Sequence, residues 1–351
     1  MYKSSNSLNQ MKQQMKVLFI GGTGNISSAC SELAISRGIE LYHLNRGLSS
    51  GIRKVQGMKT IISDIRNFDD TQKAIDGYTF DAVVDFIAYL PQHIENDIKL
   101  FTGKTKQFIF ISSASAYQTP PEKLPVTEDT PLDNPYWEYS RNKIACEEVL
   151  KEAFIKNGFP YTIIRPSHTY DKTMLPVIGG YTVLQRMVQG LPVILHGDGT
   201  SIWTLTHSRD FAVGLIGLLG KKDAINQAFH ITSDEWLTWN AIYAILANEL
   251  NVTPRIIHVP SEVIAKYDKI IGNSLLGDKS HSMIFDNTKI RKIVTDFNPT
   301  ITFHDGAKEI VKWFKENTLQ KVSDKAINQL MENIIFDYNT YTDNIRSLSE
   351  H

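Results

Sequence analysis

Short apolar runs alternate with longer amphipathic stretches through the first half of the chain. The runs are Val17–Ile20, Glu40–Leu44, Lys59–Ile62, Ala82–Phe86, Gln107–Ile111 and Tyr161–Ile164. Their length and β-branched or aromatic content read as buried strands. Between them, Ser27–Ser36, Asp69–Asp76, Ile94–Leu100 and Arg141–Lys156 carry apolar residues at helical spacing. Strands alternating with helices predict parallel βαβ units, and right-handed crossovers assemble the six strands into one doubly wound α/β sheet.

Beyond Arg165 the pattern loosens. Pro166, Pro176, Gly179, Gly180, Gly190, Pro192, Gly197 and Gly199 punctuate it, predicting loops and short elements around a cleft. Helical spacing resumes at Phe211–Leu219, Trp239–Leu250 and Gly306–Lys315. The expected organisation is a disordered tail over residues 1–15, a sheet domain over 16–170, a smaller lobe over 171–318 partly interleaved with the sheet, and a C-terminal helix over 319–351. That last helix is read from the 4-3-4-3 spacing of Ile327, Met331, Ile334, Tyr338, Tyr341, Ile345 and Leu348. Packing against its own domain is favoured over a contact with another subunit. A substrate would enter the crevice at the carboxyl ends of the strands.

Composition narrows the class. The 351 residues hold 37 Lys+Arg against 38 Asp+Glu, a net charge of -1 that lacks the basic excess of a nucleic-acid binder. Two cysteines, Cys30 and Cys146, make neither a disulfide framework nor a zinc site, and fit a reducing compartment. The histidines show no metal-ligand spacing, so no metal is expected. The polar first fifteen residues lack a signal-peptide core, and no apolar run is long enough to span a membrane. A cytoplasmic protein without nucleic-acid or membrane partners is the expectation.

Candidate chemistry begins directly after the first strand, with Gly21-Gly22-Thr23-Gly24-Asn25-Ile26-Ser27 opening into a helix. Such a turn lets backbone amides approach a pyrophosphate while the helix N-terminus attracts its charge. Gly21 and Gly24 take the usual first two glycine positions; Ser27, small but not glycine, takes the third. Strand two ends in Asn45-Arg46, where an NAD-selective site usually carries an acidic residue for the ribose hydroxyls. A neutral residue followed by a guanidinium favours NADP; the alternative is that Arg46 lies over the adenine while NAD binds. Asp64, after strand three, is a candidate partner for the adenine amino group.

Tyr139 and Lys143 open a helix one turn apart on one face. An ammonium there is expected to lower the phenol's pKa, preparing it as a general base toward a substrate hydroxyl. Strand five ends in Ile111-Ser112-Ser113-Ala114-Ser115-Ala116-Tyr117, placing hydroxyls at the ligand-binding edge of the sheet. Together these residues resemble the extended short-chain dehydrogenase/reductase superfamily, in particular its NAD-dependent epimerase/dehydratase family, over roughly residues 16–318. The resemblance implies a Rossmann-type sheet with a C-terminal substrate lobe and a bound NAD or NADP. By the same match, Ser113 hydrogen-bonds the reacting oxygen, Tyr139 is the acid/base and Lys143 binds the nicotinamide ribose. Ala88, in the Asp85–Tyr89 segment that closes strand four, marks where the family's backbone passes the cofactor; the aromatics of that segment read as packing. Arg165-Pro166 matches the family's Arg-Pro after strand six. A homodimer built on the Tyr139–Lys143 helix is a further implication.

Two departures bear on the substrate. Dehydratases of the family carry Asp-Glu after the catalytic hydroxyl, where this chain has Ala114-Ser115; with no acid there, sugar dehydration is disfavoured, and Ser115 becomes a candidate substrate contact. Nucleotide-sugar members follow Gly-Asp-Gly with an arginine that grips the diphosphate. Here Gly197-Asp198-Gly199 is followed by Ser201-Ile202-Trp203, and an indole cannot neutralise a diphosphate. His168 and His207, at the junction of lobe and sheet, are candidates to orient substrate or act as a second acid/base, and equally to be histidines held by backbone partners. The expected function is an NAD(P)-dependent epimerase of a sugar or nucleotide sugar, working through a keto intermediate. The alternatives are a net dehydrogenase or reductase of a sugar or polyol, and a non-catalytic RNA-binding or regulatory relative.

Overall fold

The computed structural model describes residues 14–48, 53, 55–317 and 324–349. The expected tail therefore lies, apart from Gln14 and Met15, outside the described residues, as do the side chains of Ile345 and Leu348. Strands β1 (Lys16–Ile20), β2 (Glu40–Asn45), β3 (Lys59–Ile62), β4 (Ala82–Asp85), β5 (Phe108–Ile111) and β6 (Tyr161–Pro166) fall close to their predicted spans. A seventh strand, Gln227–Ile231, joins them from within the lobe half of the sequence. The sheet order is Gln227–Ile231, β6, β5, β4, β1, β2, β3, and every neighbouring pair runs parallel. β1 thus pairs with both β2 and β4, Val17 standing beside Leu41 on one side and Ala82 on the other. The chain reverses direction of travel there, which opens a crevice at the strands' carboxyl ends.

The two-residue period of β1 feeds both faces of the sheet. Val17 and Phe19 pack with Cys30 and Ala34 of helix α1 (Asn25–Ser36) and with Phe211 and Leu215 of the helix Ser208–Leu218. Leu18 and Ile20 face the other layer, with Ile94 and Leu100 of helix α3 (Pro91–Phe101) and Cys146 and Leu150 of helix α4 (Glu138–Asn157). Helix α2 (Phe68–Ala74) starts at Asn67, whose side chain accepts a bond from Asp70 N. Proline opens α3, and Gly158, at φ +71°, ends α4 in the left-handed conformation that stops helices.

The lobe has its own core. A parallel strand pair, Pro192–His196 with Arg255–Val259, packs against the helices Tyr181–Val188 and Trp239–Leu250. The helix Lys325–Ser349 folds onto this core with Met331, Ile334 and Ile335 buried, and Ile327, Leu330 and Tyr338 half-buried. Tyr341, on the same spacing, is 64% exposed. No described helix is long and apolar enough to cross a membrane.

Helix α4 is fixed to the sheet by buried charge. Glu147 is fully buried and receives a two-pronged bond from Arg165 of β6, Nε to Oε1 at 3.0 Å and a terminal nitrogen to Oε2 at 2.7 Å, while Ser112 Oγ donates to Oε1 at 2.6 Å. Removing one partner of such a pair leaves an uncompensated buried charge. Glu147→Ala is expected to destabilise the fold by about 3–5 kcal/mol, read as a lower urea midpoint. A loss below about 1 kcal/mol would show that the pair does not fix the helix.

Candidate active site

The glycine turn lies across the crevice. Gly21, at φ +83°, passes Ile87 so closely that an added Cβ would stand 2.5 Å from its Cγ2; at Gly22 a Cβ would meet the His43 ring at 2.5 Å. Only glycine fits either position. Ser27, in the third glycine position, is buried and stitches the turn, donating to Gly21 O at 2.8 Å and accepting from Gly24 N at 2.7 Å. The remaining first-turn amides of α1 have no intrahelical acceptor by geometry and belong to residues that line the groove, so the turn fits a pyrophosphate.

Two adjoining hollows make up that groove and share Gly21, Gly24, Ile87 and Tyr89 on their walls. The outer one, about 570 Å³, is bordered by Asn45, Arg46, Asp64 and Arg66, and so joins the residues expected around an adenosine. Asn45 Oδ1 is occupied by Gly47 N at 2.9 Å, and Arg46 is exposed on the rim. The inner one, about 510 Å³, brings together Asn25, Ile26, Ser113, Ser115, Tyr139, Lys143, His168 and Trp203. Ala88 lies beneath both, fully buried, and contributes its backbone to the site rather than a wall.

Strand β5 delivers Ser113 at its carboxyl end, the first residue of a tight turn, where its Oγ is 2.9 Å from Ser115 Oγ. Ser140 Oγ donates to Ser115 Oγ at 2.8 Å, tying the turn to α4. Tyr139 lines the same hollow as Ser113. Lys143, 1% exposed, donates to Ala88 O and Ile111 O at 2.7 Å each, leaving one of its three N–H donors for a ligand. The electrostatics differ from the sequence expectation. Burial pushes the Lys143 ammonium down to about 8, and burial, followed by the neighbouring Tyr89, pushes the Tyr139 phenol up rather than down. Desolvation outweighs the lysine's field because two carbonyls already engage the ammonium and the phenol stands between aromatic rings. Trp137 is 4.8 Å and Tyr89 6.3 Å from the Tyr139 ring. Tyr89, read from sequence as packing, belongs to the site: it is 45% exposed, lines both hollows and carries Lys143 Nζ 4.7 Å from its ring centre.

The segment after β4 is held from below. Asp85 Oδ1 accepts from Ile87 N at 2.5 Å and Ala88 N at 2.9 Å, and His93 Nδ1 accepts from Tyr89 N and Leu90 N. Beside Asp85 lies Asp97 of α3, and both are fully buried. Asp85 Oδ2 and both Asp97 oxygens have no hydrogen-bond partner among the described residues. Two carboxylates cannot both be ionised there. Burial, then the Asp85 charge, push Asp97 well above the usual carboxylate range, which favours its protonated form beside Asp85. No sequence signal marked this pair, since neither residue falls in a motif.

Across the groove the lobe contributes His168, Trp203, Asp278 and Lys279. His168 is pushed down to about 3, by burial and then by the Lys279 ammonium, and is neutral at physiological pH. His207 does not reach the cleft. The strand Leu205–His207 pairs His207 with Tyr170, two residues past His168, and carries it to the start of the helix Ser208–Leu218. There it caps Arg209 N at 3.2 Å and borders a separate hollow of about 280 Å³. Asp278 and Lys279 were invisible in the sequence, because their segment has neither a motif nor a clear period. Among the described residues no group of side chains could hold a metal ion.

The glycine turn thus crosses the switch point of a doubly wound sheet, with Ser113, Tyr139 and Lys143 converging beside it. The chain belongs to the NAD dependent epimerase/dehydratase family, whose model matches residues 17–232. It is 33% identical to a UDP-glucose 4-epimerase of Lactobacillus helveticus over 170 residues, 43% of this chain and 51% of that protein. The chain thus spans about half the length of that relative. A 2'-dehydrokanamycin reductase of Streptomyces kanamyceticus is 24% identical over 75% of this chain and 74% of its own. The crystal structure of a Bifidobacterium longum UDP-glucose 4-epimerase in complex with NAD+ and UDP superposes with a TM-score of 0.72 at 16% identity, covering 87% of this chain and 99% of that one, and shares the fold.

The buried carboxyl pair has a measurable signature. Folded Asp97 holds a proton that the unfolded chain releases above about pH 4. The native state therefore binds more protons, and stability falls as pH rises from there toward the raised value, by up to about 1.4 kcal/mol per pH unit. Asp97→Asn keeps an N–H donor for Asp85 without titrating and is expected to remove that slope in urea denaturation series between about pH 5 and about pH 8. An unchanged slope would show that the two carboxyls share no proton.

Proposed function

We propose that the chain transfers hydride between the carbinol carbon of a sugar-like substrate and a nicotinamide dinucleotide in this groove. The observation that carries the proposal is the convergence of Ser113, Tyr139 and Lys143 at the inner hollow, next to a turn that only glycines can form. NAD or NADP, when bound, supplies the hydride acceptor and a positive charge beside the Tyr139 phenol. Tyr139 Oη takes the proton of the substrate hydroxyl as the carbonyl forms and returns it on reduction; Ser113 Oγ donates to the same oxygen. The remaining Lys143 N–H orients the cofactor's ribose, with the ammonium fixed by Ala88 O and Ile111 O. Tyr89 and Trp137 close the site around the phenol and keep water from it.

The family is NAD dependent; a preference for NADP is our reading of Arg46 on the rim and of an Asn45 side chain turned onto Gly47. Epimerisation, in which hydride returns to the other face of the keto intermediate, is the leading reading, supported by likeness to UDP-glucose 4-epimerases. Net reduction of a glycoside ketone is favoured by the relative named for reducing 2'-dehydrokanamycin, which this chain matches over three quarters of its length. Both use the same three residues. Removing the general base should cost about 10²–10⁴ in turnover. Tyr139→Phe is thus expected to abolish exchange of label between deuterated nicotinamide and a hexoside, while the dissociation constant for dinucleotide stays within about twofold, a change below 0.5 kcal/mol. Label exchange at the unmodified rate would overturn the mechanism.

A further inference from the structure

The substrate half of the cleft is walled by a segment with an unusual backbone. Leu275–Lys279 forms a π-helical turn, a rare form that is frequent at functional sites. The turn is fixed on several sides. Gly277 lies so close to Trp137 that an added Cβ would stand 2.7 Å from the Trp137 Cβ. The buried Asn134 amide donates to Gly277 O at 2.6 Å and to Ser115 O at 2.8 Å, linking this wall to the end of β5. Lys279 O accepts from Trp239 Nε1 at 3.0 Å, His196 Nε2 at 3.2 Å and Ser201 Oγ at 3.2 Å.

This rigid turn presents two charges to the cleft. The Asp278 and Lys279 side chains are 11% and 8% exposed and 3.4 Å apart. Trp203 lines the same wall, 3% exposed, and its Nε1–H has no acceptor among the described residues. A buried indole N–H without a partner costs free energy until a ligand oxygen meets it. The charge balance limits what that ligand can be. Lys143 and Lys279 are the cations among the described residues lining the inner hollow, and no arginine is among them. Lys143 is engaged by two carbonyls and Lys279 faces Asp278. A diphosphate would meet a Lys279 charge already balanced by Asp278 and a Lys143 whose one remaining N–H is assigned to the dinucleotide ribose. Vicinal hydroxyls, by contrast, both donate and accept, which matches a carboxylate, an ammonium and an indole N–H held side by side.

We infer that Asp278, Lys279 and Trp203 form the specificity subsite for an uncharged glycoside or polyol, and that the substrate carries no nucleoside diphosphate. The inference rests on the hydride-transfer reading above, which makes this hollow the substrate side. Asp278 accepts from two ring hydroxyls, Lys279 donates to one of them, and the Trp203 N–H meets a third oxygen.

The indoles of Trp137 and Trp203 report on this hollow. With the protein saturated by dinucleotide, tryptophan fluorescence is titrated with the methyl glucoside, galactoside and mannoside, and separately with UDP and UDP-glucose. At least one glycoside is expected to give a saturable change, with UDP and UDP-glucose binding no tighter. Asp278→Asn and Lys279→Met should each weaken that glycoside about tenfold or more, the loss of one charge-assisted hydrogen bond, with dinucleotide affinity retained as proof of folding. UDP binding tighter than every glycoside, no response to any glycoside, or variants that bind like the parent would each overturn the inference. Failure of the dinucleotide itself to bind would overturn the hydride-transfer reading, and this inference with it.

Discussion

The site depends on one buried helix face. Lys143 and Glu147 are one turn apart on α4, and each is bound to the carboxyl ends of the central strands: Lys143 to carbonyls after β4 and at the end of β5, Glu147 to Ser112 after β5 and Arg165 of β6. Charges buried this completely tolerate little displacement, since any shift leaves a donor or acceptor without a partner. The face therefore sets the rotation and height of α4 over the sheet, and with them the position of Tyr139 one turn before Lys143. A helix held by apolar packing alone could slide by a fraction of a turn at small cost. This one cannot.

The same burial shapes the electrostatics. Desolvation pushes the lysine down and the tyrosine up, so neither side chain is poised for proton transfer by its protein surroundings alone. Beneath the site, Asp85 holds the backbone of residues 87 and 88, and the raised pKa of the neighbouring Asp97 works against a second negative charge there. Burial thus serves geometry first and leaves the reactivity conditional.

Much of this was legible in the sequence, for physical reasons. β1, β4 and β5 are buried on both faces and read as unbroken apolar runs; the glycine turn is legible because only glycine fits beside Ile87 and His43. The strand Gln227–Ile231 escaped notice because its Gln and His interrupt the apolar run, and because it joins the sheet after a long excursion through the lobe. Of the two roles open to His207 in the sequence, the structure gives it the one held by a backbone partner, because the register of its strand carries it two residues past His168 to accept from Arg209 N. Asp278 and Lys279 owe their position to a π-helical turn and a backbone carbonyl held by three distant donors, which leave no local trace. The role of Tyr89 was likewise hidden: an aromatic at a strand end reads the same whether it packs inward or lines a cleft.

On the reading proposed above, the glycine turn and the Ser113–Tyr139–Lys143 cluster hold a nicotinamide dinucleotide. Native mass spectrometry of the protein as purified, and again after addition of NAD or NADP, tests this directly, because the added mass identifies the nucleotide by its phosphate count. The account predicts one dinucleotide per chain, with retention through purification favouring a hydride-returning epimerase and reversible binding favouring a net reductase. A protein that takes up neither nucleotide would contradict it.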